Sequence, residues 1–215
     1  MHHCNILIGC DQTYYDNWSI TLLQSISYYN PWISLHCHIV NPKNTLELDF
    51  VNYTYEEKTF INDNSKIGYL QAVRFLAADK YFDNTQYVLS LDADSICTKS
   101  FTETQFLDLF KYNTVLQHPK DGRWLAGLVA LGPNNFRKDY ASLLMSVPID
   151  NWAFGRDQDI MSKISDTYKF RPVSKEWISI GKNGLNSIFL TLKGDQKYTK
   201  KYLTIYQRYI EDIKN

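Results

Sequence analysis

The 215-residue chain has few of the residues that cross-link or divide a protein: four cysteines, nine glycines and six prolines. No two cysteines have the C-x-x-C spacing of a zinc or redox site. Repeats, low-complexity segments and Gly/Ser/Pro-rich linkers are also missing from the sequence. A chain of this length buries enough surface to be stable without cross-links. We therefore expect a single domain over residues 1–215, with reduced and mostly buried cysteines.

Long apolar runs are missing as well. No stretch approaches the 18 apolar residues of a membrane-spanning helix, and the first residues lack the pattern of a signal peptide. We therefore expect a cytoplasmic protein without a transmembrane segment. The formal net charge is +0, from 23 basic and 23 acidic side chains. This balance argues against nucleic acid as a partner held by a global positive field.

The balanced total hides an uneven distribution of charge. Residues 1–110 hold 6 basic and 13 acidic side chains, whereas residues 161–215 hold 11 basic and 5 acidic ones. The acidic front and the basic end are therefore expected to fold onto each other or onto a ligand between them. Aromatic residues make up 15% of the chain, with 16 tyrosines, and such side chains both fill cores and form platforms for ligands.

Strand-like and helical patterns alternate along the chain. Apolar runs predict buried strands at residues 5–9, 32–40, 87–91 and 124–131. Helical spacing of apolar residues predicts a helix between the first two strands and another over residues 65–80. Ser65 is expected to be the N-cap of the second helix, and Ile67 is expected to face inward. This alternation favours an α/β fold with a mostly parallel sheet covered by helices.

The most apolar predicted strand, residues 87–91, runs directly into Asp92 and Asp94. Ligands of open α/β sheets bind beyond the carboxyl ends of the strands. Two carboxylates so close together repel each other unless they share a cation, and Mg²⁺ or Mn²⁺ completes its shell with phosphate oxygens and water. The pattern predicts a metal-bound diphosphate held by Asp92 and Asp94. A solvated turn is the alternative interpretation.

The segment YVLSLDADS, residues 87–95, resembles the D-x-D segment of GT-A glycosyltransferases, and most of all the retaining glycogenin-like and bacterial galactosyltransferase group. Other segments resemble the same group: ILIGCD at residues 6–11 with Tyr14, Arg74-Phe75, AGLV at residues 126–129, and DQD at residues 157–159. The resemblance implies a single GT-A domain. Its nucleotide-binding half would span residues 1–110, and its donor-sugar and acceptor half, with a basic C-terminal helix, residues 111–215.

The resemblance also implies roles for individual residues. The donor-binding set would be Gly9, Asp11, Tyr14, Arg74, Asp92, Ala126, Gly127 and Lys182. Asp157 and Gln158 would be catalytic, because they would orient the transferred sugar or its developing positive charge. From its position alone, Asp157 could equally be the N-cap of a helix near residues 158–166. No histidine follows His118, so a third metal ligand stays unassigned.

The implied function is transfer of a sugar from a nucleoside diphosphate sugar, above all a UDP-sugar, to a hydroxyl of a glycan or protein. Mn²⁺ or Mg²⁺ would assist, and the anomeric configuration would be retained, although an inverting enzyme could use Asp157 or Asp159 as its base. Two other functions stay open: a HAD-like phosphatase with Asp92 as nucleophile, and a sugar-binding module without catalysis. The chain is short for the group. It resembles the compact glycosyltransferase domains of large viruses, which would act in the host cytoplasm. Alternatively, it is one module of a longer chain.

Overall fold

The computed structural model describes residues 3–118, 120–132, 134–180 and 186–191, together with Thr204, Gln207 and Glu211. Lys182 and nearly all of the predicted basic C-terminal helix lie outside these residues. The four cysteines all lie within them, and each is buried with a free thiol, as the sequence predicted.

The described residues form two sheets. Their strands are β1 (Cys4–Asp11), β2 (Ser34–Val40), β3 (Val51–Glu56), β4 (Tyr87–Leu91), β5 (Ser95–Cys97), β6 (Thr114–Gln117), β7 (Trp124–Leu131), β8 (Arg171–Pro172), β9 (Ile178–Ile180) and β10 (Phe189–Thr191). The central sheet has the order β3-β2-β1-β4-β7-β6-β8, and the small sheet has the order β5-β10-β9. In the central sheet only β7 runs against its neighbours, so the sheet is mostly parallel, as predicted.

Helices cover both faces of the central sheet. In the described residues they are α1 (Gln12–Tyr14), α2 (Ile20–Tyr29), α3 (Asp63–Tyr81), α4 (Glu103–Asp108), α5 (Phe136–Met145) and α6 (Arg156–Tyr168). A π-helical turn joins α1 to α2, and 3₁₀ turns follow α4 and α5. None of these described helices is long and apolar enough to cross a bilayer.

Alternating side chains of the strands feed two apolar cores. Ile6 and Ile8 of β1 belong to the core that contains α2, whereas Leu7 belongs to the core that contains α3, α5 and α6. All three side chains are fully buried because both faces of the sheet are covered. This two-sided burial explains why the strands appear in the sequence as continuous apolar runs.

The N-cap of helix α3 lies three residues before Ser65, the predicted cap. Asn62 is its N-cap, because the Asn62 side chain accepts a hydrogen bond from the backbone N–H of Ser65 at 2.8 Å. The prediction that Ile67 faces inward is wrong: this side chain is 44% exposed. Ser65, Gly68 and Tyr69 are buried instead, so the buried face of the helix does not include Ile67.

The order of the strands creates a crevice between β1 and β4. The chain first moves outward from β1 through β2 to β3, then returns through α3 to β4 on the other side of β1. Ile8 of β1 pairs with Leu91 of β4, so the two strands end at the same edge of the sheet. Such a reversal of strand order marks the usual ligand site of an open α/β sheet.

Candidate active site

Strand β4 places the two acidic residues of the D-x-D motif at this carboxyl edge. The backbone N–H of Asp92 donates to the carbonyl of Gly127 on β7 at 3.0 Å, and the N–H of Ser95 donates to the carbonyl of Asp92 at 3.2 Å. The resulting turn buries Ala93 and leaves the Asp92 and Asp94 residues half-buried. Both acidic residues are therefore within reach of a ligand in the crevice.

Arg74 of α3 connects four elements of the fold at this edge. Its Nη2 donates to the carbonyl of Ala126 on β7 at 2.7 Å and lies 2.9 Å from Oδ1 of Asp92. The same atom lies 3.8 Å from Oδ2 of Asp157 on α6. Arg74 and Asp157 are 4% and 3% exposed, and charges buried to this extent are costly unless they are paired. The positive charge of Arg74 therefore compensates the negative charges of the buried Asp157 and of Asp92 in the D-x-D motif.

Asp157 lies inside the first turn of α6 and is not its N-cap, so that interpretation is wrong. Gly155 occupies the cap position with a φ of +86°, a conformation that glycine adopts without strain. Oδ1 of Asp157 accepts a hydrogen bond from the N–H of Gln158 at 2.9 Å, and the same N–H also donates to the carbonyl of Gly155 at 2.9 Å. The carboxylate lies in the first turn of the helix, where negative charge is favoured. Tyr140 of α5 donates its hydroxyl to the Asp157 carbonyl at 2.6 Å, and burial raises the pKa of Tyr140.

Gln158 and Asp159 follow on the same helical turn. The Gln158 residue is half-buried, and Asp159 is exposed. The D-Q-D segment therefore offers one buried carboxylate, one accessible amide and one solvated carboxylate. Of these, Asp157 and Gln158 are the two that the sequence predicted to act on the transferred sugar.

The end of β1 supplies the third part of the site. A Cβ atom on Gly9 would lie 2.8 Å from the Cβ of Arg74, so the absence of a side chain lets α3 approach β1 and brings Arg74 to the sheet edge. Asp11 caps the following helix by accepting from the N–H of Tyr14 at 2.9 Å. Its other oxygen lies 3.9 Å from Nζ of Lys66 on α3. Tyr14 is 38% exposed.

Some of the predicted site residues are in direct contact at this edge of the sheet, whereas others are linked to it only through a further residue. Arg74, Asp92, Ala126 and Asp157 are in direct contact, and Gly9 lies beneath Arg74. Asp11 is joined to the same helix through Lys66, whereas Lys182 lies outside the described residues. The sequence analysis missed Tyr140, for which no motif gives a signal. It also missed Lys66, a half-exposed lysine that no motif distinguishes from other surface lysines.

Asp92 and Asp94 are the candidate ligands for a divalent cation. The described residues contain no group of three or more His, Cys, Asp or Glu side chains that could hold a metal ion. Oδ1 of Asp92 is, moreover, already held by Arg74. Mg²⁺ is nevertheless commonly bound through one or two carboxylates, with phosphate and water completing its shell. The two carboxylates fit such an ion when a diphosphate binds with it.

Comparison with known proteins gives structural likeness only. No protein-family model matches the sequence, and no curated protein matches it. The galactosyltransferase LgtC, solved with donor and acceptor sugar analogues, has a TM-score of 0.65 at 13% identity, covering 97% of this chain and 95% of LgtC. A structure of LgtC with an active-site glutamine changed to glutamate has a TM-score of 0.65 at 12% identity, covering 96% of this chain and 94% of that one.

Two longer glycosyltransferases also match. GlyE of Streptococcus pneumoniae TIGR4 has a TM-score of 0.65 at 13% identity, covering 97% of this chain and 60% of GlyE. The bifunctional glycosyltransferase WbbM has a TM-score of 0.66 at 12% identity, covering 100% of this chain and 50% of WbbM. The chain thus spans nearly all of LgtC but only about half of the longer two. It has the GT-A fold of these glycosyltransferases, which confirms the predicted fold class.

Proposed function

We propose that the chain is a metal-dependent glycosyltransferase that moves a sugar from a UDP-sugar to a hydroxyl of a glycan or protein. The observation that carries this proposal is the contact of Arg74 with both Asp92 and Asp157. It joins the D-x-D and D-Q-D motifs at the ligand edge of a GT-A sheet. The likeness to LgtC, GlyE and WbbM supports the same class of reaction.

The donor would lie across the crevice between β1 and β4. Asp11 and Tyr14 would hold the nucleoside at the end of β1, and Ala126 and Gly127 would line the sugar pocket. Asp92 and Asp94 would hold Mn²⁺ or Mg²⁺, which when bound stabilises negative charge on the leaving diphosphate. Arg74 and Lys182 would add positive charge beside the same group.

In the proposed reaction, the bond between the anomeric carbon and the diphosphate oxygen breaks, and its electron pair leaves with the diphosphate. The acceptor hydroxyl oxygen bonds to the same carbon and gives up its proton to an oxygen of the departing diphosphate. Positive charge develops on the sugar ring as the bond breaks. The Asp157 carboxylate would face this charge, and the accessible amide of Gln158 would orient the sugar hydroxyls. The active-site glutamine of LgtC supports a role for a glutamine of this kind.

We propose retention of configuration on the basis of the resemblance to retaining enzymes. In an inverting enzyme, a base must deprotonate the acceptor on the face opposite to the leaving group. The Asp157 carboxylate already accepts a hydrogen bond from the N–H of Gln158 and faces Arg74. It is therefore less suited to taking a proton from the acceptor than to stabilising positive charge on the sugar. The anomeric configuration of the product, measured by NMR, tests this point.

Four buried free cysteines support a reducing, cytoplasmic location.

The decisive experiment measures thermal stabilisation by a panel of nucleotide sugars with and without Mn²⁺, followed by donor hydrolysis and transfer. We expect stabilisation by UDP-sugars that requires Mn²⁺, and loss of both stabilisation and turnover in Asp94→Ala. Asp108→Ala, an exposed acidic residue paired with Lys111, is the matched control and should behave as wild type. Unchanged metal-dependent turnover in Asp94→Ala would refute the assignment. A phosphoaspartate trapped at Asp92 would favour the phosphatase, and donor binding without turnover the binding module.

A further inference from the structure

Phe154 is the most exposed large hydrophobic side chain among the described residues, at 74%. Its exposure contrasts with the segment from which it projects. Trp152, two residues earlier, is 1% exposed, donates its indole N–H to the carbonyl of Val147 at 2.9 Å, and stacks on Tyr69 with ring centroids 5.8 Å apart. The aromatic ring of Phe154 therefore projects into solvent from an anchored part of the chain.

The backbone on both sides of Phe154 is fixed to α3. A Cβ atom on Gly68 would lie 2.7 Å from the carbonyl oxygen of Ala153, so the helix and this segment are in contact through their backbones. On the other side, the N–H of Gly155 donates to Oε1 of Gln71 at 2.9 Å. These contacts hold the backbone of Phe154 in place before any ligand arrives, which lowers the entropic cost of binding.

A second exposed apolar residue lies beside the same contact. Ile67 is 44% exposed and directly precedes Gly68 on α3. Ile67 and Phe154 thus flank the Gly68–Ala153 contact, and together we call them the apolar platform. The backbone contacts at Gly68 and Gly155 hold the two chain segments that carry these residues against each other.

The apolar platform adjoins the proposed active site on two sides. Lys66, the residue before Ile67, reaches Asp11 at the end of β1. Asp157, three residues after Phe154, faces Arg74. Short stretches of chain therefore connect the platform to both parts of the proposed site.

We propose that the apolar platform binds the acceptor by stacking against the apolar face of one of its pyranose rings. This inference rests on the proposed function, because it assigns the second substrate of the same site. A pyranose has polar edges and a face of C–H groups, and an aromatic ring with an aliphatic neighbour matches that face. In the proposed function, the donor sugar contacts the charged group of Asp157 and the amide of Gln158, whereas the platform contacts its ligand only through apolar side chains. Phe154 is thus a specificity-determining residue for an acceptor that carries a sugar.

The test uses saturation-transfer NMR on the intact chain loaded with UDP and Mn²⁺. The probes are methyl β-glucoside, methyl β-galactoside and methyl α-mannoside, each added separately. We expect transfer to the ring C–H groups of at least one glycoside with wild type, an affinity about fivefold weaker in Phe154→Ala, and recovery in Phe154→Trp. Phe50→Ala removes another exposed phenylalanine, 46% exposed and preceding the edge strand β3, and should bind the glycosides as wild type does.

Failure of this inference is distinguishable from failure of the proposed function. If UDP and Mn²⁺ do not stabilise wild type, the proposed function fails. If they stabilise it, but no glycoside binds or binding is equal in Phe154→Ala and wild type, the platform assignment is wrong. Binding lost in both Phe154→Ala and Phe154→Trp, with UDP stabilisation intact, would also overturn the stacking role, because tryptophan preserves an aromatic face.

Discussion

Arg74 forms an ion pair with Asp92, with 2.9 Å between Nη2 and Oδ1, and the same nitrogen lies 3.8 Å from Oδ2 of Asp157. One buried guanidinium thus faces carboxylates from two motifs that are far apart in the sequence. Because Arg74 and Asp157 are almost fully buried and Asp92 is half-buried, removing one of these charges leaves the others without a partner of opposite sign. This relationship makes the arginine important for stability as well as for the proposed binding of the donor diphosphate.

We predict that Arg74→Ala lowers the free energy of unfolding by about 3 kcal/mol, because it leaves the buried Asp157 carboxylate and the half-buried Asp92 carboxylate uncompensated. Urea denaturation in the presence of a chelator measures this effect without a divalent cation. Adding Asp157→Asn to Arg74→Ala should recover part of the loss, since it removes one of the uncompensated charges. A double variant at least as unstable as the sum of the two single variants would show that the carboxylates do not depend on Arg74.

The apolar strands of the site were predictable from the sequence. The predicted strands at residues 87–91 and 124–131 agree with the bounds of β4 and β7, because strands buried on both faces have continuous apolar composition. Since β4 also ends directly before Asp92, its carboxyl end was a strong indication of a ligand site. The resemblance to the GT-A fold followed from these segments and is confirmed.

The contacts between motifs were not predictable, because they depend on how elements approach each other. The inward face of α3 is set by close backbone approaches at Gly9 and Gly68, which periodicity does not reveal. For this reason the apolar spacing predicts that Ile67 faces inward, although the side chain is exposed. The alternative interpretation of Asp157 as the cap of α6 is likewise wrong, because Gly155 occupies that position with a positive φ, which no polar side chain signals.

Asp11 both caps a helix and carries a negative charge. Substituting it with alanine or asparagine should distinguish the contribution of the cap to stability from that of the charge. We predict that Asp11→Ala costs about 1 kcal/mol of stability, whereas Asp11→Asn costs almost nothing because asparagine caps equally well. Lys66→Ala should change stability by less than about 0.5 kcal/mol, because exposed ion pairs contribute little. If Asp11 also holds the nucleoside, Asp11→Asn should bind UDP several-fold more weakly by calorimetry. Equal loss of stability in Asp11→Ala and Asp11→Asn would contradict the capping role.

Gly68→Ala tests the contact between α3 and the segment that carries Phe154. Alanine in a helix is favoured over glycine by about 1 kcal/mol, but here its Cβ would lie 2.7 Å from a backbone oxygen of Ala153. Overpacking against backbone costs about 1–3 kcal/mol, so we expect net destabilisation in urea denaturation. Gly132→Ala is the matched control, since its Cβ would meet nothing closer than 3.7 Å. A stabilised Gly68→Ala would indicate that the contact is looser than described.

A pair of histidines on β2 should make the stability of the chain depend on pH. Nε2 of His36 and Nδ1 of His38 lie 2.8 and 2.9 Å from the Thr54 hydroxyl on β3, so the two imidazoles share one partner. Burial, and then the nearby His38, lowers the pKa of His36 from 6.5 to about 4. Burial is also the largest cause that lowers the pKa of His38, although Glu56 opposes it.

Because the pKa of His36 is lower in the folded chain, the unfolded chain binds more protons between pH 6.5 and about 4. Folding stability is therefore fully present above pH 6.5 and falls as the pH drops through this window. We predict that His36→Phe, which keeps a ring against Tyr81 and removes the titrating group, loses about 2 kcal/mol less than wild type between pH 7.5 and 4.5. Urea denaturation at pH 7.5, 6.5, 5.5 and 4.5 measures the difference. If the free energy of unfolding falls equally with pH in the two proteins, His36 has the same pKa in the folded and the unfolded chain. That result would contradict the predicted effect of its burial.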